Sequence, residues 1–412
     1  MSFPITDSPT IIDTVGRTIP LQAFNSGNTT QQYWGPFIVG SAQYIIGFTN
    51  DVSSPRYLAA FKRTTGEWAE VGQNRAVPPQ STAVPSTIAD GQCYFDVANS
   101  KIWLAYRDSS AKVTLVDLDC ATDTWGTPGA TLTLGGSEFW TVARGQQLFR
   151  QADGTFYLFY CRGVTPFGLY QLTYAAGAWS GETAVDSGTS SVAMLYSGVM
   201  DADERKHLHY RKNDTLTQLH AFVDSSGSAS SPATIETLAS GVSNFAGSRS
   251  VIWNSSTVVF VFFYHEPSPF TRTFKAYRGT PLSAPSFTVD TVLTAASPEE
   301  LLGSTVLIDK DGAMRALIQM QVSAGDQPLY LFTNSGAGWD AGTEIYNTED
   351  TPPDWFSAPS AGGLCAFMGA HQFGSGAWLF FFNVNPVPGT TRAAGYYVST
   401  GIVGCLYRAI QS

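Results

Sequence analysis

Hydrophobic positions in this chain almost never repeat at the three-to-four spacing of an amphipathic helix. Short runs rich in Val, Ile, Phe, Tyr and Thr alternate instead with Gly, Pro, Ser, Asn and Asp, the pattern of strands and hairpins, and an all-β fold is predicted. The stretch from Phe149 to Gly163 shows the unit: an apolar strand, a polar turn at Asp153-Gly154, and an aromatic strand that ends in Tyr160 and Arg162. Aligned on that turn and the strand after it, the pattern recurs with anchors at Phe48, Tyr106, Tyr160, Tyr210, Phe262, Ile318 and Phe382. The anchors lie 50 to 64 residues apart. That interval is too long for one hairpin and right for a four-stranded antiparallel sheet with its loops.

Further pieces recur at matching offsets. A strand such as QLFRQ or TVLIDK precedes each aromatic strand, and LYQLTYAA or LYLFTNS, then ETAVDSG or ATIETLA, follow it. Sheets this small cannot bury both faces alone, and radial packing solves the burial problem while leaving short edges. The prediction is a seven-bladed β-propeller of four-stranded antiparallel blades, one domain over residues 1–412, with eight blades or two smaller propellers as alternatives. The early run SPTIIDTV has the form of a last strand and is expected to complete the final blade.

The turns between third and fourth strands carry a resemblance. TTGEW, ATDTW, AAGAW and SGAGW place Trp68, Trp125, Trp179 and Trp339 after a small or polar turn. This is similar to the S-x-D-x-G-x-x-W hairpin of sialidase-like (BNR, or Asp-box) β-propellers at the same place in the blade. Sialidases themselves have six blades. The resemblance implies an arginine triad for a substrate carboxylate, a tyrosine and glutamate nucleophile pair, and an aspartic acid. Tyr106, Tyr160, Tyr210, Glu138, Glu266, Glu299, Glu300 and Asp354 are the groups that could supply the tyrosine and carboxyl roles. Each tryptophan is expected to pack between neighbouring blades.

In such a fold the second strand of each blade delivers its end to the face around the central channel. Arg107, Arg162 and Arg211 stand at that exit in three consecutive units, and Glu266 holds a similar place in the next. A fan of guanidinium groups could converge there on a carboxylate, sulfate or phosphate. The linkers between units bring Trp34, Trp140, Trp355 and Asp354 to the same face, adding rings on which sugars stack. Taken singly, each arginine has a plainer role, shielding a sheet edge or pairing with a nearby carboxylate.

Composition narrows the function classes. A net charge of -10 without a Lys or Arg run lacks the basic stripe that phosphate backbones require, so no nucleic-acid partner is expected. No apolar run has the length of a membrane span, and MSFPITDSPT lacks the basic and apolar regions of a signal peptide. Cys93, Cys120, Cys161, Cys365 and Cys405 are widely spaced without CxxC pairs and read as reduced, mostly buried thiols. No cofactor and no metal is expected: His207 and His209 alternate on one strand without further recognisable ligands, and MDADERK aligns with the hairpin turns.

The expected function is a non-catalytic binding propeller that recognises a glycan or another polar surface ligand. The Ser/Thr/Gly-rich, lysine-poor composition would suit a virion attachment or tail-fibre component, or a surface lectin, assembled into a larger virion or surface complex. A sialidase-like glycoside hydrolase or lyase is the alternative reading, and a protein-binding scaffold propeller is the second alternative.

Overall fold

The computed structural model describes residues 10–15, 33–48, 58–64, 69–72, 91–107, 112–134, 145–162, 165–189, 193–212, 216–239, 243–266, 271–296, 300–309, 311–322, 328–336, 338–346, 364–372, 378–385 and 401–408. Their secondary structure is β throughout, in antiparallel sheets. The chain divides into two compact units. Residues 23–240 hold the first four sheets, and residues 1–22 with 241–412 hold the others.

The first sheet is built from Tyr33–Val39, Ala42–Phe48, Leu58–Arg63 and Ala69–Val71. The second uses Gly91–Asp96, Lys101–Arg107, Lys112–Asp119 and Leu132–Thr133, with Thr124–Trp125 also pairing to its third strand. The third uses Gln146–Arg150, Phe156–Arg162, Phe167–Ala175 and Ala178–Trp179, with Thr183–Thr189 as a fifth member. The fourth comprises Ala193–Met200, Lys206–Lys212, Thr217–Val223 and Ala233–Thr237. Ser243–Trp253, Thr257–Glu266, Thr271–Thr280 and Ser286–Ala296 make the fifth, and Glu300–Ile308, Met314–Gln321, Leu329–Asn334 and Thr343–Tyr346 the sixth.

These six are blades in the propeller sense, each a meander of strands that follow one another in the chain. The remaining sheet is of another make: Leu364–Gln372, Trp378–Asn385 and Gly401–Arg408 are joined at the edge by Thr10–Val15. The expectation of seven uniform four-stranded blades is therefore corrected to six propeller blades, two of them five-stranded, with one further sheet assembled from both ends of the chain. The reason is that one aromatic strand per unit counts hydrogen-bonded sheets. It does not separate a meander blade from a sheet that borrows a strand across the whole sequence.

The core lies between successive sheets, as period-two alternation requires. From the second strand of the second sheet, Ile102, Leu104 and Tyr106 pack with Tyr44, Ile46 and Ala60 of the first. From the third sheet, Phe156, Leu158 and Tyr160 meet Ala105, Val113 and Leu115 of the second, while Tyr157, Phe159 and Cys161 turn to Leu208, Tyr210 and Leu219 of the fourth. In the other unit, Val259, Val261 and Phe263 pack with Ala316, Ile318 and Phe332. The turn tryptophans fill these seams: Trp125 joins the first cluster, Trp179 the second, and Trp339 the packing between fifth and sixth sheets. Trp68 lies outside the described residues.

Polar struts cross the seams at the turns. Tyr44 Oη donates to Cys120 O at 2.9 Å, Tyr157 Oη and Gln151 Nε2 both donate to Ser225 O, and Trp253 Nε1 donates to Gly312 O at 3.1 Å. The hairpins after the first strands of the third, fourth and sixth sheets share one construction. Gly154 and Gly312 take positive φ at the fourth turn position, and Glu204 takes the same place with φ 59. A non-glycine residue there is strained by about 1–2 kcal/mol. Glu204 is kept by its side chain, whose Oε1 accepts the Ala152 N–H of the neighbouring blade at 2.6 Å. Urea unfolding should show Glu204→Ala destabilised by about 1 kcal/mol, the scale of one hydrogen bond. Glu204→Gly should stay within about 0.5 kcal/mol of the parent, because strain relief offsets the lost bond. Equal losses in the two variants would mean that the strain is not there.

Candidate functional site

Counted from the preceding hairpin, Tyr160 and Tyr210 occupy the same strand position, and Tyr106 shares their facing. The arginines do not share one. Arg107 and Arg211 directly follow their tyrosines, whereas Cys161 intervenes before Arg162. A one-residue offset on a strand reverses the face. Arg162 thus stands in the place of Lys212, on the same face as Tyr160, and Cys161 takes the place of Arg211. The expected fan of three equivalent arginines resolves into two facings.

The tyrosine face carries a repeated arrangement. In the third sheet, Tyr160 Oη donates to Glu182 Oε2, and Arg162 Nη1 lies 3.1 Å from Glu182 Oε1. The Arg162 guanidinium sits 5.0 Å over the Tyr170 ring. In the fourth, Tyr210 Oη donates to Asp186 Oδ2 at 2.7 Å, and Lys212 Nζ lies 3.4 Å from the same oxygen. Burial first, and then the Asp186 carboxylate, push the Tyr210 phenol well above its ordinary value, so it stays a donor. Residues i and i+2 of one strand face thus hold a carboxylate between a phenol and a cation, twice. Both carboxylates belong to one stretch, Glu182 just before the Thr183–Thr189 strand and Asp186 within it. Access differs within the clusters: side-chain exposure is 31% for Lys212, 17% for Glu182, 11% for Arg162 and 9% for Asp186, while Tyr160 and Tyr210 are buried.

On the other face, burial lowers Arg211 against the pull of Tyr196 beside it, and its Nη2 donates to Met194 Sδ at 3.0 Å. His207 and His209 share that face and are fully buried. His207 Nε2 lies 3.2 Å from Asp201 Oδ2 and its Nδ1 3.1 Å from His220 Nε2, while His209 Nε2 lies 3.1 Å from Gln218 Oε1. Desolvation brings His209 and His220 down to about 3, and lowers His207 against the pull of Asp201. Asp201 is committed to its turn, accepting the backbone N–H of Asp203 and Arg205. Among the described residues no group of three His, Cys, Asp or Glu is placed to hold a metal ion.

The remaining expected residues are dispersed. Arg107 is buried at the end of its strand, opposite Val113. Trp34 packs in the seam between first and second sheets, against Gly91. Glu266 closes the Thr257–Glu266 strand opposite Thr271, its side chain outside the described set. Trp140, Trp355 and Asp354 lie outside the described residues. Glu182 and Asp186 were not anticipated. Their signal in the sequence is the spacing Tyr160-Cys161-Arg162 against Tyr210-Arg211-Lys212, which places a cation two residues after each tyrosine.

No family model matches the chain, and no curated protein matches it. Among solved structures, the polysaccharide lyase Uly1 is similar at a TM-score of 0.52 and 12% identity, over 95% of this chain and 95% of that one. The alpha-L-arabinanase of Penicillium chrysogenum, complexed with arabinobiose, gives 0.48 at 11% identity over 81% and 96%. A mutant of the Aleuria aurantia lectin in complex with Fucalpha1-6GlcNAc gives 0.40 at 14% identity over 76% and 94%. The likeness to the first is one of fold. No helix among the described residues is long and apolar enough to cross a membrane.

Proposed function

We propose that this chain is a glycan-binding protein without catalytic activity, and that it holds its ligand at the strand ends around Tyr160, Arg162, Glu182, Asp186, Tyr210 and Lys212. The observation that carries the reading is the twofold recurrence of phenol, cation and carboxylate on one strand face. Sugar hydroxyls both donate and accept, and a surface offering fixed carboxylate acceptors beside guanidinium and ammonium donors answers both needs. The Tyr160 to Glu182 contact beside Arg162 supports one second reading, sialidase-like hydrolysis, because that chemistry pairs a tyrosine with a glutamate.

A glycan array run beside a fluorogenic glycosidase panel tests both. Binding without turnover is expected. Arg162→Ala should weaken binding by roughly 1.5–3 kcal/mol, the scale of a charge-assisted hydrogen bond. Arg162→Lys should recover only part of that, because it loses the planar fork. Turnover abolished by Tyr160→Phe would replace this reading with the hydrolase. Unchanged affinity in Arg162→Ala would remove the site.

A further inference from the structure

We infer that the ligand is a neutral, hydroxyl-rich saccharide and not an acidic one, an inference that rests on the glycan-binding reading above. The three arginines at the strand exits invite the opposite conclusion, because guanidinium groups suit carboxylates and sulfates. The geometry on the tyrosine face closes that route. Arg162 already faces Glu182 at 3.1 Å, and Lys212 already faces Asp186 at 3.4 Å. Each carboxylate also accepts a tyrosine hydroxyl. In each cluster a cation faces a carboxylate.

An incoming uronate or sulfate would have to take the cation from a partner fixed beside it. It would also bring a third charge against Glu182 or Asp186 at close range. These pairs are only 9 to 31% exposed in their side chains, so solvent screens the repulsion weakly. A formal charge of -10 on the whole chain opposes anionic ligands again at longer range. A neutral sugar meets none of these costs. Its hydroxyls donate to the Glu182 and Asp186 carboxylates without adding a charge to either cluster.

The test uses the full chain on an array of neutral, uronate and sulfated glycans of equal length, followed by titration of the tightest neutral and acidic members at 50 mM and 500 mM NaCl. The neutral glycan is expected to bind at least tenfold tighter, with less than a twofold change across that salt range. Glu182→Gln removes the carboxylate that faces Arg162. It should lose about tenfold for the neutral glycan and gain for the uronate, reversing the preference. Should that variant fail to fold, judged by near-UV circular dichroism, Asp186→Asn carries the same expectation through Lys212. A parent that binds only acidic glycans, with affinity falling tenfold in high salt, overturns the inference and leaves the glycan-binding reading standing. A parent that binds no member of the array overturns that reading, and the inference falls with it.

Discussion

Acidification from pH 7.5 to 5 is expected to remove about 4 kcal/mol of folding stability through two histidines, His209 and His220. Both are buried, and desolvation lowers each to about 3, so the native state refuses a proton that the unfolded chain accepts near pH 6.5. For a group depressed in this way the stabilisation is complete above the unfolded value and is lost as pH falls through it. The loss runs at roughly 1.4 kcal/mol per unit per histidine, and continues to about pH 3. His207 adds in the same direction, moderated by Asp201, while Arg205 beside it opposes protonation. Lys206, which desolvation brings to about 8, changes its charge above this window and leaves the acid limb alone. Urea unfolding at pH 7.5, 6 and 5 measures the slope. His209→Gln and His220→Gln should each flatten it by about one histidine's share, which separates these residues from the general easing of repulsion in an acidic protein. A parent curve that stays level from pH 7.5 to 5, with variants to match, would mean that these rings are not held neutral.

The second large effect concerns the sixth sheet. Asp309 is buried at its turn, where Oδ1 accepts the N–H of Asp311 at 2.9 Å and of Ala313 at 2.8 Å, while Oδ2 receives Arg315 Nε at 2.7 Å. Arg315, also buried, donates onward to Thr333 Oγ1. Removing one partner of such a pair leaves a buried charge unanswered, and Asp309→Ala should cost about 3–5 kcal/mol. Asp309→Asn keeps an acceptor for the turn and loses the charge, so it should fall between parent and alanine. Adding Arg315→Met to Asp309→Ala should restore part of the loss, since the stranded guanidinium is then gone. Strictly additive losses would show that the pair is not coupled. Asp201 makes the same turn in the fourth sheet and sends its second oxygen to Arg205 and His207. Arg315 and His207 therefore hold one structural position with two chemistries.

The β content and the units were legible because burial leaves a strong imprint on strands. Phe156, Leu158 and Tyr160 alternate with Tyr157, Phe159 and Cys161, and both sets are apolar because both faces of the sheet are covered. The seam role of Trp125 and Trp179 was legible for the same reason, as a large ring beside a turn has few other places to go. The closing strand was legible too, since Thr10–Val15 pairs with Gly401–Arg408, but the number of blades was not, because the aromatic strand at Phe382 reads like those of the six meanders. The site was half legible. Residue types at the strand exits are visible in the sequence, but the face each one takes depends on a single position, where Cys161 stands in place of Arg211. The partners Glu182 and Asp186 come from a fifth strand whose pairing with Phe167–Ala175 shifts register twice. Such irregular pairing leaves no periodic trace.

The sheet that pairs Thr10 with Arg408 and Val15 with Gly404 sets an order of events during synthesis. Each meander blade finds its partners within a short length of chain and can form as it leaves the ribosome. Thr10–Val15 cannot, because its partner strand Gly401–Arg408 is made long after it. At roughly 5–20 residues per second, the nascent chain carries that unpaired strand for about 20–80 s. A ribosome that stops early releases a product with the edge of Trp378–Asn385 also lacking its neighbour, and open edges recruit other chains. Truncation before Gly401 should therefore yield aggregates even when six blades have already formed.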